Sequence, residues 1–292
     1  MQDFVLSTDS TADLPLSVME EMGVRFVSLD FTVDGEQHGY RDDVDLKYYY
    51  DRMREGMRTS TSQAGMQEVT ELFTESAAAG RDVLHISFSS ELSGSYNTEC
   101  MVAKQIEEEY PGIRIVVVNS RCASGGQGLL VRKLVEKKAA GCSLDELAAY
   151  AEDLKRRVIH LFTVDDLVYL YRGGRVSKAK TVLTKAINIK PLMHCNIEGK
   201  LLPYDKARGR KKALQRMADD VASYLTEDYK AENPYIIIGH ADSLDDAKFL
   251  GERLTEKYGF EQIIYEWITP TIGAHSGPGT IALFFVGNER RQ

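Results

Sequence analysis

The chain has 292 residues, 43% of them hydrophobic and 27% charged, which is ordinary globular composition and argues against disorder. A formal net charge of −8 speaks against non-specific binding to nucleic acid. No apolar run approaches the ~20 residues of a membrane helix, the N-terminus lacks a basic stretch followed by an apolar one, and Cys100, Cys122, Cys142 and Cys195 form no C-x-x-C pair; these features point to a soluble, cytoplasmic protein with reduced thiols.

In chain order, Phe4 to Thr8 reads as a short apolar strand. It ends in the hydroxyl- and acid-rich loop Asp9-Ser10-Thr11-Ala12-Asp13, ahead of a helix from about Pro15 to Met22. Val24 to Val33 alternates like one strand, Asp34-Gly35 signals a hairpin turn, and Asp45 caps a helix through Arg54. A hydroxyl-rich segment, Met57 to Ala64, then leads into a helix from about Met66 to Ala79. Val83-Leu84-His85-Ile86 reads as a buried strand, Asn97 to Tyr110 as a helix, and Ile113 to Val118 as another buried strand. Gly125-Gly126-Gln127-Gly128 opens the next helix. Val131 stands where a dinucleotide fingerprint needs its third glycine, so these glycines read as close helix–strand packing. Ser143-Leu144-Asp145-Glu146 is a capping box for a helix to about Val158. Such strand–helix alternation predicts a parallel sheet with helices on both faces.

Beyond Val158 the texture changes. Ile159 to Thr163 is strand-like, Asp165 to Tyr171 a short helix interrupted by Arg172-Gly173-Gly174-Arg175, and Ser177 to Ile187 helical. Ile189 to Ile197 and Lys200 to Ala207 form a hairpin about Glu198-Gly199. A helix then runs to near Leu225, followed by a strand at Tyr235 to His240, a helix at Leu244 to Tyr258 and a strand at Gln262 to Ile268. Pro270 to Gly279 reads as a glycine-rich loop and Thr280 to Val286 as a last strand. The expected architecture is α/β: a three-layer α/β/α domain with a parallel sheet over 1–158, and a second α/β domain of mixed sheet over 159–292.

One stretch carries the chemistry. Phe88-Ser89-Ser90-Glu91-Leu92-Ser93-Gly94-Ser95-Tyr96 lies between a buried strand and a helix start, where free N–H groups and the helix dipole favour an anion. Gly94 admits close backbone approach and the serines add uncharged donors. No lysine accompanies them, so a carboxylate fits better than a triphosphate. A well-capped helix would show much the same pattern, and Thr61 or Ser62 is about equally readable as an N-cap. A hydrolase would need a nucleophile elbow, and no G-x-S-x-G occurs; Ser93 and His275 lack an obvious third member. His38, His85, His160, His194, His240 and His275 show neither metal-type spacing nor cysteine partners, and no metal is expected. His85, inside a strand, reads as a core residue, whereas His275 is set among glycines and reads as a residue held over a site. Arg172 to Arg175 and Arg208 to Lys212 are basic spots on an acidic chain. They are solvated helix ends or a docking surface for an acidic partner or a phosphorylated group.

Five of these segments, in this order, resemble the DegV family, the fatty-acid-binding subunits of the bacterial fatty acid kinase system. They are Ser7 to Leu14, Thr61-Ser62-Gln63, Ser89 to Tyr96, Arg172 to Arg175, and Ile272 to Thr280. The resemblance implies a non-catalytic protein with an acyl chain in an apolar tunnel. Its carboxylate would meet Thr61, Ser93, Gly94 and His275 and be presented to a separate kinase subunit for acyl-phosphate formation, with Arg172 and Arg175 as candidate partner contacts. No cofactor is implied beyond the bound fatty acid. The partners are that lipid and the kinase subunit, with transient membrane contact and no nucleic acid. Two departures stand out: Ala64-Gly65 replaces the family's usual Pro-Ser, and Ser95 replaces its Thr. Burying ~14 methylenes supplies about 11 kcal/mol before ordering costs, while a hydrogen bond to a carboxylate adds about 1.5–3 kcal/mol. The tail should therefore set affinity and the donors orientation. The alternatives are a serine-type lipid esterase using Ser93 and His275, or a carrier of another small anion, which would show no apolar cavity.

Overall fold

The computed structural model describes residues 4–176 and 188–292. The helix expected over 177–187 lies outside the described residues.

The first unit contains β1 (Phe4–Asp9), α1 (Leu16–Glu21), β2 (Arg25–Val27), β3 (Phe31–Val33), β4 (Glu36–His38), α2 (Leu46–Arg54), α3 (Met66–Ala78), β5 (Asp82–Ser87), α4 (Ser95–Glu109), β6 (Ile115–Asn119), α5 (Gly125–Ala139) and α6 (Leu144–Leu154). Four strands form a parallel sheet in the order β2-β1-β5-β6. Alternation assigns its two faces: Val5, Val83 and Ile115 pack with Val69, Phe73 and Val102 of α3 and α4, while Leu6, Leu84 and Ile86 pack with Leu130 and Leu147 of α5 and α6. Both faces are apolar because both are covered.

The second unit contains β7 (Val158–Thr163), α7 (Val168–Arg172), β8 (Ile189–Cys195), β9 (Leu201–Arg208), α8 (Arg210–Asp220), α9 (Tyr229–Glu232), β10 (Ile236–His240), α10 (Leu244–Tyr258), β11 (Ile263–Trp267), α11 (Pro270–Ser276) and β12 (Ile281–Val286). Its six-stranded sheet has the order β11-β10-β12-β7-β8-β9 and is mixed: β10 and β11 are parallel and the other pairs antiparallel. Helices α8 and α10 close its outer face over Leu161, Ile238 and Phe285.

Helix α5 is wedged between the units, and its glycines are the reason it fits. A Cβ at Gly125 would lie 2.8 Å from the Phe284 ring, one at Gly126 would overlap His160, and one at Gly128 would lie 2.6 Å from the Ala12 carbonyl oxygen. The glycine run is thus a packing device, as its broken fingerprint suggests.

Two expectations change. Val24 to Val33 is not one strand: β2 joins the parallel sheet and β3 pairs with β4. Between them the Leu29 N–H leaves the ladder and donates to Ser10 Oγ at 2.9 Å, and Ser28 Oγ accepts from the Tyr40 N–H at 2.7 Å. The glycine-rich stretch after Thr269 is also not all loop, because its first seven residues form α11. Pro270 opens the helix with its preset φ, and Gly273 accommodates the Tyr50 hydroxyl, which a Cβ would overlap.

Candidate functional site

Between the two units lies a mostly apolar cavity, the kind of concave apolar space in which small-molecule sites are found. Leu29, Phe88 and Leu92 wall it from the first unit, and Phe162, Ala282 and Phe284 from the second. Thr61, Ser93 and His275, 214 residues apart at the extremes, belong to the same lining.

Thr61 is held by a borrowed strand. It bridges Phe31 of β3, the Thr32 N–H donates to Ser60 O at 3.0 Å, and the Ser62 N–H donates to Asp30 O at 3.0 Å. Ser93 is fixed from behind: its Oγ lies 2.9 Å from Ser95 Oγ and accepts from the Ser95 N–H at 3.2 Å. Ser95 Oγ also accepts from the Ala64 N–H at 3.0 Å. One buried hydroxyl therefore ties the Thr61 segment to the Ser93 loop. Gly94 does not line the cavity. It opens α4, and its missing side chain makes room for Gln63, whose amide oxygen a Cβ would overlap. Of the four residues expected at the head group, Gly94 is the one outside the cavity lining, and it supports the ligand loop through packing.

His275 reaches the cavity from the last turn of α11, and its Nε2 lies 2.7 Å from Thr61 Oγ1. Helix α11 is anchored by the tyrosines of α2: Tyr50 OH donates to Ile268 O at 2.5 Å and Tyr49 OH to Pro270 O at 3.2 Å. Burial, reinforced by the nearby Arg175 guanidinium, lowers the His275 pKa to about 4, so the ring is neutral at physiological pH. Among the described residues its buried Nδ1 has no hydrogen-bond partner, and it packs on Gly173, where a Cβ would overlap it. Gly173 has an ordinary helical φ of −73°, so the position demands glycine for space alone. Gly173→Ala is accordingly expected to push the imidazole off Thr61 and weaken head-group binding about tenfold, a loss near the worth of one hydrogen bond, with the fold retained. Calorimetric titration with a fatty acid checks this.

The comparisons with known proteins agree with one another. Residues 3–288 match the profile described as "Uncharacterised protein, DegV family". The chain belongs to the DegV family. A DegV domain-containing protein of Clostridium perfringens is 36% identical, with 99% of each chain covered. A DegV-family protein of Thermus thermophilus, described as fatty-acid binding, is 29% identical and superposes with a TM-score of 0.85, covering 98% of this chain and all of that one. A DegV-family structure from Ruminococcus gnavus that holds vaccenic acid is 26% identical, with a TM-score of 0.84 over 97% of this chain and all of that one.

Of the two arginines singled out from the sequence of this DegV chain, Arg175 lines the cavity and Arg172 does not. Arg175 Nε donates to Leu92 O at 2.9 Å and its Nη1 to Gly173 O, so the guanidinium clamps the Ser93 loop to the end of α7. Burial lowers its pKa.

His160 in the wall and several buried polar groups behind it carry no local sequence signal. His160 is buried, with its Nδ1–H donating to Val158 O at 2.9 Å and its Nε2 accepting from the Ala123 N–H at 3.2 Å. Burial drives its pKa down to about 3, so it presents a neutral ring to the cavity. Asp13 is buried beneath the start of α11 and accepts from Ser124 Oγ and from the Thr269 N–H and hydroxyl. A third polar knot supports the Phe88 loop, where Asp9 Oδ2 accepts from the Phe88 N–H at 2.7 Å. Near it, His85 Nδ1 meets Ser7 Oγ at 2.9 Å and Nε2 lies 3.4 Å from Glu99. Burial opposes charge on His85, but Glu99 and Asp9 outweigh it and raise its pKa. Asp9, His85 and Glu99 are fully buried, with potential ligand atoms within 4.8 Å of one another, a grouping that a search for regular histidine spacing could not find. Among the described residues no helix is long and apolar enough to cross a membrane.

Proposed function

We propose that this chain binds a long-chain fatty acid with its alkyl tail in the apolar cavity and its carboxylate at Thr61, Ser93 and His275, and presents that carboxylate to a separate kinase subunit. The observation that carries the reading is the cavity itself: a mostly apolar space with the 2.7 Å Thr61–His275 pair and Ser93 in its wall. Relatives at 26–29% identity bind fatty acids in the same fold, which supports it.

The residues act as orienting donors. A neutral His275 with its proton on Nε2 donates to Thr61 Oγ1, which frees the threonine hydrogen for a carboxylate oxygen; Ser93 supplies a second hydroxyl. The Arg175 guanidinium in the cavity wall is engaged by Leu92 O and Gly173 O, so the acid is held by uncharged donors and its carboxylate stays nucleophilic. In the kinase reaction a carboxylate oxygen attacks the γ-phosphorus of ATP, the bond to the β-phosphate oxygen breaks, and acyl phosphate and ADP form. The carrier contributes position and exclusion of water.

The esterase alternative draws little from the geometry. His275 Nε2 is engaged by Thr61, and Nδ1 faces Gly173 without a carboxylate among the described residues to orient it.

The test is acyl-phosphate formation, trapped as the hydroxamate, with the protein loaded with hexadecanoic acid, a bacterial fatty acid kinase subunit and ATP. Thr61→Ala and Ser93→Ala are each expected to slow turnover at least about tenfold, because a misaimed nucleophile loses its proximity advantage, while the variants still bind the lipid. Turnover unaffected by both changes contradicts the assigned head-group site.

A further inference from the structure

A buried polar knot lies behind the Phe88 loop, and the proposed function does not use it. Strand register builds it. Ser7 of β1 pairs with His85 of β5, so their side chains share the sheet face covered by α3 and α4, and Asp9 closes the end of β1 beside them. Glu99 meets them from α4. Asp9, His85 and Glu99 are all 0% exposed. Part of the knot is satisfied: Asp9 accepts from the Thr11 N–H at 3.0 Å, from Gln127 Nε2 at 3.2 Å and from the Phe88 N–H at 2.7 Å. The rest is not. His85 Nε2 and both carboxylate oxygens of Glu99 are buried without a hydrogen-bond partner among the described residues. No lysine or arginine among those residues forms an ion pair with either carboxylate.

A buried carboxylate with neither a hydrogen bond nor a counter-charge is costly, and this one calls for a cation. The separations suit a metal ion. Two donors on a tetrahedral zinc, with bonds of about 2.0–2.2 Å, stand roughly 3.4 Å apart, and His85 Nε2 lies 3.4 Å from Glu99 Oε2. One potential ligand atom from each of the three residues falls within 4.8 Å of the others. The bonds behind them are those a metal site needs. With its proton on Nδ1, His85 donates to Ser7 Oγ at 2.9 Å and turns the Nε2 lone pair toward Glu99, a repulsion that a cation converts to attraction. We propose that Asp9, His85 and Glu99 bind a zinc ion that clasps β1, β5 and α4 together. Zinc follows from the donor set, one imidazole with carboxylate oxygens, and from burial that leaves no room for the waters magnesium keeps. Two carboxylates and a neutral imidazole balance its charge, and Glu99 has both oxygens to give. Histidine spacing along the chain cannot show such a site, because its ligands lie on three separate elements. The clasp is independent of the fatty-acid reading, although β5 and α4 flank the loop that carries Phe88 and Ser93.

The experiment uses the full chain without a histidine tag, unfolded in urea and refolded with excess Zn²⁺ or with EDTA. Metal content is then measured by plasma mass spectrometry. About one zinc per chain is expected from the first sample, with a thermal midpoint above that of the second. Glu99→Gln and His85→Gln should each weaken zinc at least about a hundredfold. Ser7→Ala should weaken it about tenfold, because Ser7 only orients His85. X-ray absorption at the zinc edge of the wild-type protein should show one imidazole with oxygen neighbours and no sulfur, a measurement that needs no variant to fold.

Wild-type protein that takes up no zinc overturns the site and leaves a proton shared by His85 and Glu99 in its place. Zinc held at full affinity by both Glu99→Gln and His85→Gln overturns it as well. So does a sulfur shell in the absorption spectrum, which would move the ion to a cysteine. Zinc uptake that leaves the thermal midpoint unchanged would contradict a clasp between the sheet and α4.

Discussion

Ala282→Leu is expected to reduce affinity for an 18-carbon fatty acid by about a hundredfold while leaving the protein folded. Ala282 sits on β12 opposite Phe162 of β7, and both side chains face the cavity. A leucine there places three added carbons where tail methylenes would lie. Excluding about three methylenes costs about 2.5 kcal/mol at ~0.8 kcal/mol each, which is close to two powers of ten in affinity. The added group enters existing space, so unfolding free energy should hold or rise. A 12-carbon acid should lose less than the 18-carbon acid. Calorimetric titration of both acids checks this, and equal affinities for variant and wild type would place the tail elsewhere.

The second large effect is on stability. Asp13→Ala should cost about 3 kcal/mol of unfolding free energy, read by denaturant titration, because three buried donors from Ser124 and Thr269 lose their acceptor at once. Asp13 joins the turn after β1, the start of α5 and the residue preceding Pro270, so the loss loosens the frame that aims His275. Its ionisation gives a further signature. Burial raises its pKa from an ordinary 3.8 to about 7, against the hydrogen bonds from Ser124 and Thr269, which lower it. Between those values the folded chain keeps a proton that the unfolded chain has released. The Asp13 contribution to stability is therefore fully present below pH 4, falls as pH rises toward 7 and is level above it. His160 and His275 act in the opposite sense: their folded pKa values, about 3 and about 4, lie below the ordinary 6.5, so their contributions rise over much of the same window. Total stability will hide both trends, and a difference against Asp13→Asn exposes one of them. The stability advantage of wild type over that variant should shrink from pH 4 to pH 7; parallel curves would show that Asp13 does not titrate there.

Much of this was legible from local chemistry. Runs such as Val83-Leu84-His85-Ile86 marked strands because a parallel sheet buries both faces, and the capping box at Ser143 to Glu146 forms with both of its hydrogen bonds. Thr61, Ser93 and His275 stood out as hydroxyls or an imidazole among glycines and turn residues, and the fold brings them to one cavity. What the sequence hid is long-range. Gly173 looks like a turn residue, yet its role is set by His275, a hundred positions away. Ser95 reads as a helix start, and its bond to the Ala64 N–H appears only once α4 and the Thr61 segment meet. Asp13 resembles a loop acid until Thr269 closes over it. Helix α11 was masked by its own glycine, which is there for the Tyr50 hydroxyl and not for a turn.

The central claim is that the space behind Thr61, Ser93 and His275 is built for an alkyl tail. Mass spectrometry of the lipid released when the purified protein is denatured tests it most directly. Close to one long-chain fatty acid per chain is expected, and much less from Ala282→Leu. Protein that releases no fatty acid, and whose thermal midpoint does not rise when fatty acids are added, would contradict it.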